Sequence, residues 1–343
     1  MVRQADHERG QDAVLEPFVS MLATIVIVPA VAQRVLSANP SAQTTPHEKG
    51  LTMTRNACSG LIILMLATPA AAQSLSTKWE ELTALDFVQA LQASKGTCAL
   101  PFGIIEKHGP AGPLGTDLIN VRYTTALAAK QEYTIIFPEY YFGQIAEARH
   151  QPGTVAYSAH LQLELLQETV AEMARNGCRK VMIINGHGGN NMLLQYFAQV
   201  QLDSPRDYVV YTVNGLGGGP AVAAARPSRP GVDGHAGEGE LSNVMASRPE
   251  LVHTDRAATE SGADLNRLSL PDGVSTGIGW YAKFPNHYQG DAASASAARG
   301  DAATKAGAER IAGAIRAIKA DDVGPRLQKE FFDKSTQPVV TKQ

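Results

Sequence analysis

The sequence predicts an α/β fold, a single domain on a mainly parallel sheet. Short apolar runs alternate with helix-length amphipathic segments along most of the chain, which is the pattern of strand–helix–strand units. No internal repeat is visible. Two of the apolar runs end in residues of catalytic type, Glu106 and His187. Open α/β sheets hold their ligands beyond the carboxyl ends of the strands, so the chemistry is expected on one edge of the sheet.

Residues 83–94 (TALDFVQALQAS) read as a short amphipathic helix, and 97–106 (TCALPFGIIE) as a buried strand ending at a carboxylate. Residues 118–131 read as a helix, and 133–143 (YTIIFPEYYFG) as a second strand broken by Pro138. In 159–177, Leu163, Leu166, Val170 and Met173 recur at helical spacing, and Asn176-Gly177 supplies the stop. Residues 180–191 (KVMIINGHGGNN) form a strand running into a glycine turn; a helix follows, then a strand at 208–215. A Gly/Pro/Ala loop spans 215–234, EGELSNVMASRPE opens a further helix, and the Ala-rich stretch 293–320 is helical.

Composition narrows the function classes. At 343 residues, 44% hydrophobic and 18% charged, the chain can bury a full core. A net charge of −3 and no dense Lys/Arg tract argue against nucleic acid as a partner. From Met53, MTRNACSGLIILMLATPAAAQ has a basic start, a short apolar stretch and small residues at Ala70 and Ala72. That is the plan of a secretory signal with its cleavage site, and the apolar stretch is too short for a lasting membrane span. Residues 1–52 are then a doubtful extension, 53–72 the signal peptide and 73–343 the mature domain, periplasmic or secreted and without a membrane partner after cleavage. A rival start at Met1 uses residues 18–33 as the export or anchor segment.

Three segments carry candidate metal ligands: Glu106, His108 and Asp117 around EKHGPAGPLGTD; His187 in NGHGGN; His235, Glu238 and Glu240 in HAGEGELS. Imidazoles and carboxylates in this mixture suit divalent zinc, manganese or iron, and carboxylates can bridge paired ions. Singly, each has a plainer reading: polar surface at a strand end, a glycine-rich anion nest, or acids at a helix N-terminus. Together, on one predicted edge, they point to a metal site. His150 and Tyr157, in RHQPGTVAYS, read as surface-turn or site-lining residues; His160, His253 and His287 read as ordinary histidines.

The stretches LPFGIIEKHGPAGPLGTD, RHQPGTVAYS, RKVMIINGHGGN and HAGEGELS, with a fainter YQGDAASASAARG, resemble the creatininase (creatinine amidohydrolase) family. The resemblance implies a three-layer α/β/α fold, a site for two divalent ions, zinc first and manganese or iron as alternatives, and a ring-like homo-oligomer, commonly a hexamer. By position, Glu106 and His187 hold one ion, His108 the other, and Asp117 bridges them. Creatinine-hydrolysing members carry a Glu where this chain has Gly189, so Glu240 is expected to complete the second ion's ligands. His235 matches the family's proton-transfer position, with Glu238 as the fallback. Residues 215–234 lack the tryptophans that close over creatinine. The expectation is therefore hydroxide attack, between two ions, on a C–N bond of a small amide or cyclic amide other than creatinine. A metallopeptidase trimming a short or modified peptide, and a metal- or solute-binding protein without turnover, are the alternatives.

Cys98 and Cys178 are the two cysteines of the mature chain, near the starts of the strands that deliver Glu106 and His187. If those strands are parallel neighbours, about 4.8 Å apart, a disulfide is geometrically permitted. Two buried free thiols are the other outcome.

Overall fold

Four strands, all parallel, form a sheet in the order β2-β1-β3-β4: β1 (Thr97–Phe102), β2 (Ile135–Ile136), β3 (Lys180–Asn185) and β4 (Val209–Val213). The computed structural model describes residues 75–214 and 223–340. The extension and signal segment expected at 1–52 and 53–72, and the first part of the 215–234 loop, lie outside the described residues. No described helix is long and apolar enough to cross a membrane.

Alternation along the strands sorts the core into two layers. From β1 and β3, Cys98, Leu100, Phe102, Val181 and Ile183 pack with Leu166, Val170 and Met173 of α3 (Ala159–Arg175). Ala90 of α1 (Ala84–Ala93) and Leu194 and Phe197 of α4 (Asn190–Val200) join that layer. Ala99, Met182 and Ile184 face the other way, onto Val121 and Ala128 of α2 (Thr116–Gln131) and Ile311, Ala312 and Ile315 of a long Ala-rich helix, Ala297–Ala320. Helices thus cover both faces, the three-layer α/β/α arrangement. Thr83 and Ser158 cap α1 and α3 by accepting backbone N–H groups. Past β4 come α5 (Glu238–Met245), the short α6 (Gly279–Lys283), the Ala-rich helix as α7, and α8 (Val323–Ser335).

The register sets where the chemistry lies. Thr97 stands opposite Lys180 and Phe102 opposite Asn185, so β1 and β3 end level. Glu106 lies four residues beyond the first end and His187 two beyond the second. The first turn of α2 brings Asp117 under both. This approach needs a glycine, since a Cβ at Gly186 would stand 2.6 Å from the Val121 Cβ and 3.1 Å from the Asp117 carbonyl oxygen.

Several local expectations change. The strand expected over 133–143 reduces to Ile135–Ile136. Pro138 has no N–H to continue the ladder, and only Tyr140 returns to bridge Phe102. The strand expected to run to Glu106 ends at Phe102, which frees the following residues to turn into the site. The cysteines are joined: Cys98–Cys178 is a disulfide with Cα atoms 5.6 Å apart. Cys178 lies just before β3 rather than within it, and both residues are fully buried.

Candidate metal centre

Glu106, His108, Asp117, His187, His235 and Glu240 converge beyond the carboxyl ends of β1 and β3, joined by His287. Three ligand-type groups have donor atoms within 4.8 Å of one another: Glu106–Asp117–His187, His108–His235–Glu240 and Glu106–His235–His287. Glu106 and His108 are fully buried, while the Glu240 side chain keeps 38% exposure and opens the cluster to solvent.

The hydrogen bonds fix the tautomer of each imidazole, because a carbonyl oxygen only accepts and an indole N–H only donates. His187 Nε2–H donates to the Gln144 carbonyl at 3.0 Å. Its Nδ1 therefore turns a lone pair toward Glu106 Oε1 and Asp117 Oδ2, each 2.8 Å away. His108 Nδ1–H donates to the Glu106 carbonyl at 3.2 Å, so Nε2 faces Asp117 Oδ1 at 3.4 Å and Glu240 Oε2 at 3.7 Å. His235 Nε2–H donates to the Lys107 carbonyl at 2.9 Å, leaving Nδ1 3.8 Å from Glu240 Oε2. Glu240 is steadied by the Ala236 backbone N–H on Oε2, 2.7 Å.

Electron-rich atoms pointed at one another demand a cation. Glu106 Oε1, Asp117 Oδ2 and His108 Nε2 are buried without a hydrogen-bond partner, an arrangement costly to keep unless an ion or proton sits among them. Without an ion, protons fill that role. Burial opposes charge on His187, but the Glu106 and Asp117 carboxylates outweigh it and hold its pKa well above the usual imidazole value. Burial likewise opposes charge on His108, yet Asp117, Glu106 and Glu240 push it up to about 9. Burial would raise Glu106, but the charge on His187 and the hydrogen bonds from His187 and His287 hold it well below the usual carboxylate range. Glu240 is pushed up to about 7, first because its inward oxygen Oε2 is drawn out of water into the cluster and then by Asp117 and Glu106. His235 is pushed down to about 3, by burial and by the charge on His108, which keeps it neutral with Nδ1 free. The oxygen and nitrogen donors of these groups are of the kind that hold divalent ions.

Gly189 has a local reason. A Cβ there would stand 2.4 Å from His187 Nε2 and 3.1 Å from the Gln144 carbonyl oxygen. The bond that fixes the His187 tautomer occupies the space a side chain would need.

Other candidates lie elsewhere. Glu238, though fully buried, faces away: Oε2 accepts the Ser228 backbone N–H at 2.7 Å, and Oε1 lies 3.1 Å from Arg299 Nε. His150 does not line the cluster; it is exposed and its Nε2–H donates to the Pro285 carbonyl. His287, read from sequence as an ordinary histidine, is buried against Glu106. The sequence signal nearest to it is the YQGDAASASAARG stretch, which begins at the next residue.

The fold and site together define a three-layer α/β/α protein with a metal-ligand type of cluster at the carboxyl edge of its sheet. The creatininase (creatinine amidohydrolase) family model matches residues 80–315, and the chain belongs to that family of C–N bond hydrolases. It is 29% identical over 210 residues to a mycofactocin precursor peptide peptidase of Mycobacterium ulcerans (strain Agy99), covering 59% of this chain and 77% of the relative. It is 24% identical over 119 residues to creatinine amidohydrolase of Pseudomonas putida, covering 33% and 46%. A solved structure described as "Creatininase Mn" superposes with a TM-score of 0.59 at 23% identity, covering 72% of this chain and all of that one; this likeness establishes the fold.

Proposed function

We propose that the chain is a metal-dependent amidohydrolase cleaving an amide or cyclic-amide C–N bond, with two divalent ions held by Glu106, His108, Asp117, His187 and Glu240. The observation that carries this is His187 Nδ1 facing two carboxylate oxygens at 2.8 Å in a buried setting. Glu106, Asp117 and His187 would hold one ion, and His108, Glu240 and the other Asp117 oxygen the second. Zinc, manganese and iron all accept such donors, with zinc the first expectation. When bound, ions of this kind acidify water and polarise a carbonyl.

The chain's own residues supply the rest. Gln144 and the Glu106 carbonyl hold His187 and His108 in the tautomers that present a lone pair. His235, with Nδ1 turned toward Glu240, is placed to carry a proton to the leaving nitrogen. Its membership of the His108–His235–Glu240 group supports a second role, as a ligand; the metal content of His235→Ala separates the two. Glu238 is better suited to holding the Ser228 and Arg299 segments together than to proton transfer.

Substrate choice lies between a small amide and a short or modified peptide. The relative matched over the greater length is a peptidase of a peptide precursor, which favours testing peptides beside cyclic ureides and formamides. Zinc- and manganese-loaded protein should hydrolyse a member of one of these sets, and chelation should abolish it. Turnover that survives complete removal of metal would refute the proposal, and metal binding without turnover on any set would favour the binding-protein alternative. The disulfide supports an oxidising location, consistent with export to the periplasm or outside the cell. A homo-oligomer, a hexamer by family resemblance, is the expected assembly, and a monomer in light scattering at micromolar concentration would contradict it.

A further inference from the structure

We propose that His287 is a positioning residue for Glu106, and that the Trp280 indole selects the tautomer in which it acts. The inference rests on the reading of the cluster as a metal centre. Trp280 Nε1–H donates to His287 Nδ1 at 2.9 Å. Since an indole N–H only donates, Nδ1 accepts, and the ring proton resides on Nε2. His287 Nε2–H then donates to Glu106 Oε2 at 2.5 Å. The relay occupies one carboxylate oxygen and turns the other, Oε1, toward His187 Nδ1 and Asp117. A His287 in this tautomer has no lone pair on the nitrogen that faces Glu106, so it acts through the carboxylate rather than as a ligand.

The backbone is built to hold that ring. His287 is 2% exposed and has φ +56°, a left-handed conformation unfavourable for a residue with a Cβ and kept where surroundings enforce it. The surroundings do so. The His287 N–H donates to the Phe284 carbonyl at 3.0 Å, and its carbonyl accepts the Gly109 N–H at 3.4 Å, beside the ligand loop. One residue earlier, Asn286 Nδ2 donates to the Ser261 carbonyl. Before that, the Pro285 carbonyl accepts from His150 and Gln151. These contacts give the RHQPGTVAYS stretch a purpose the sequence did not show: it fixes the turn that carries His287. Hydrogen bonds of this outer kind orient metal ligands, and their loss typically weakens metal binding about 10- to 100-fold.

Zinc affinity, measured by chelator competition on the metal-free mature chain, tests this without reference to turnover. His287→Ala should bind zinc about 10- to 100-fold more weakly than wild type. His287→Gln, whose amide can donate to Glu106 and accept from Trp280, should restore most of the loss. Trp280→Phe keeps the ring but removes the tautomer-selecting donor, and should weaken zinc by about three- to tenfold, the worth of one hydrogen bond. Should His287→Ala not fold, the Gln and Phe variants decide the matter alone. Unchanged affinity in His287→Ala, or in Trp280→Phe, would overturn the proposal. So would a His287→Gln as weak as His287→Ala, since that marks a direct ligand. A wild type that takes up neither zinc nor manganese overturns the metal reading and this inference with it; a wild type that binds zinc while the variants match it overturns this inference alone.

Discussion

Loading metal into the metal-free protein should expel two protons between pH 7 and 8. His187 is held well above the ordinary imidazole pKa, and His108 at about 9, so both are protonated in that range. Their ligand-facing nitrogens, His187 Nδ1 and His108 Nε2, must lose those protons before either can bind an ion. Each proton displaced adds one unit to the slope of log affinity against pH. Filling both positions should therefore strengthen overall binding about 100-fold per pH unit over this interval. Below pH 7 the slope should steepen, as Glu240, near 7, begins to contribute a third proton. Above pH 9 it should fall toward one, because His108 is then already neutral. The assay is chelator competition at a series of pH values, with released protons counted in a weakly buffered dye solution. A flat profile with no proton release would show that the two imidazoles carry no proton between themselves and the carboxylates. The same shift acts on stability. The folded His108 value lies above its unfolded value of 6.5, so its stabilising contribution is complete below about pH 6.5 and lost as pH rises through about 9. The metal-free protein should lose about 3 kcal/mol from this group across that window, seen as a falling denaturation midpoint.

Asp117→Ala should lower bound metal further than His108→Ala or Glu240→Ala, since one of its oxygens faces His108 and the other His187; elemental analysis of the three variants checks the order. Glu238→Ala should cost on the order of 3 kcal/mol of stability by stranding Arg299, while leaving metal content unchanged; a loss of metal with stability intact would return Glu238 to the site. Reducing the Cys98–Cys178 bridge, whose partners are 80 residues apart, should cost on the order of 4 kcal/mol, read as a shift in denaturant midpoint with reductant.

The sheet was legible because its strands are apolar runs with period-two packing on two covered faces, as at Leu100 and Ala99. Residues near a strand end, such as Glu106 and His187, could be placed by that logic alone. Glu238 and Glu240 show its limit. Two positions apart on a helix they point about 200° apart, so one faces His108 and the other Arg299, and HAGEGELS does not say which. His287 was illegible for a different reason. Its approach to Glu106 depends on a turn pinned by His150, Gln151 and Ser261, a tertiary arrangement that leaves no local spacing to read. The second strand ran short because Pro138 ended the ladder where hydrophobicity continued.

The most direct measurement is metal stoichiometry by elemental analysis of the purified mature chain after equilibration with zinc or manganese. Two equivalents per chain are expected in the wild type, with a clear fall in Asp117→Ala. Wild-type protein that retains no divalent ion at micromolar concentrations near pH 8 would contradict this.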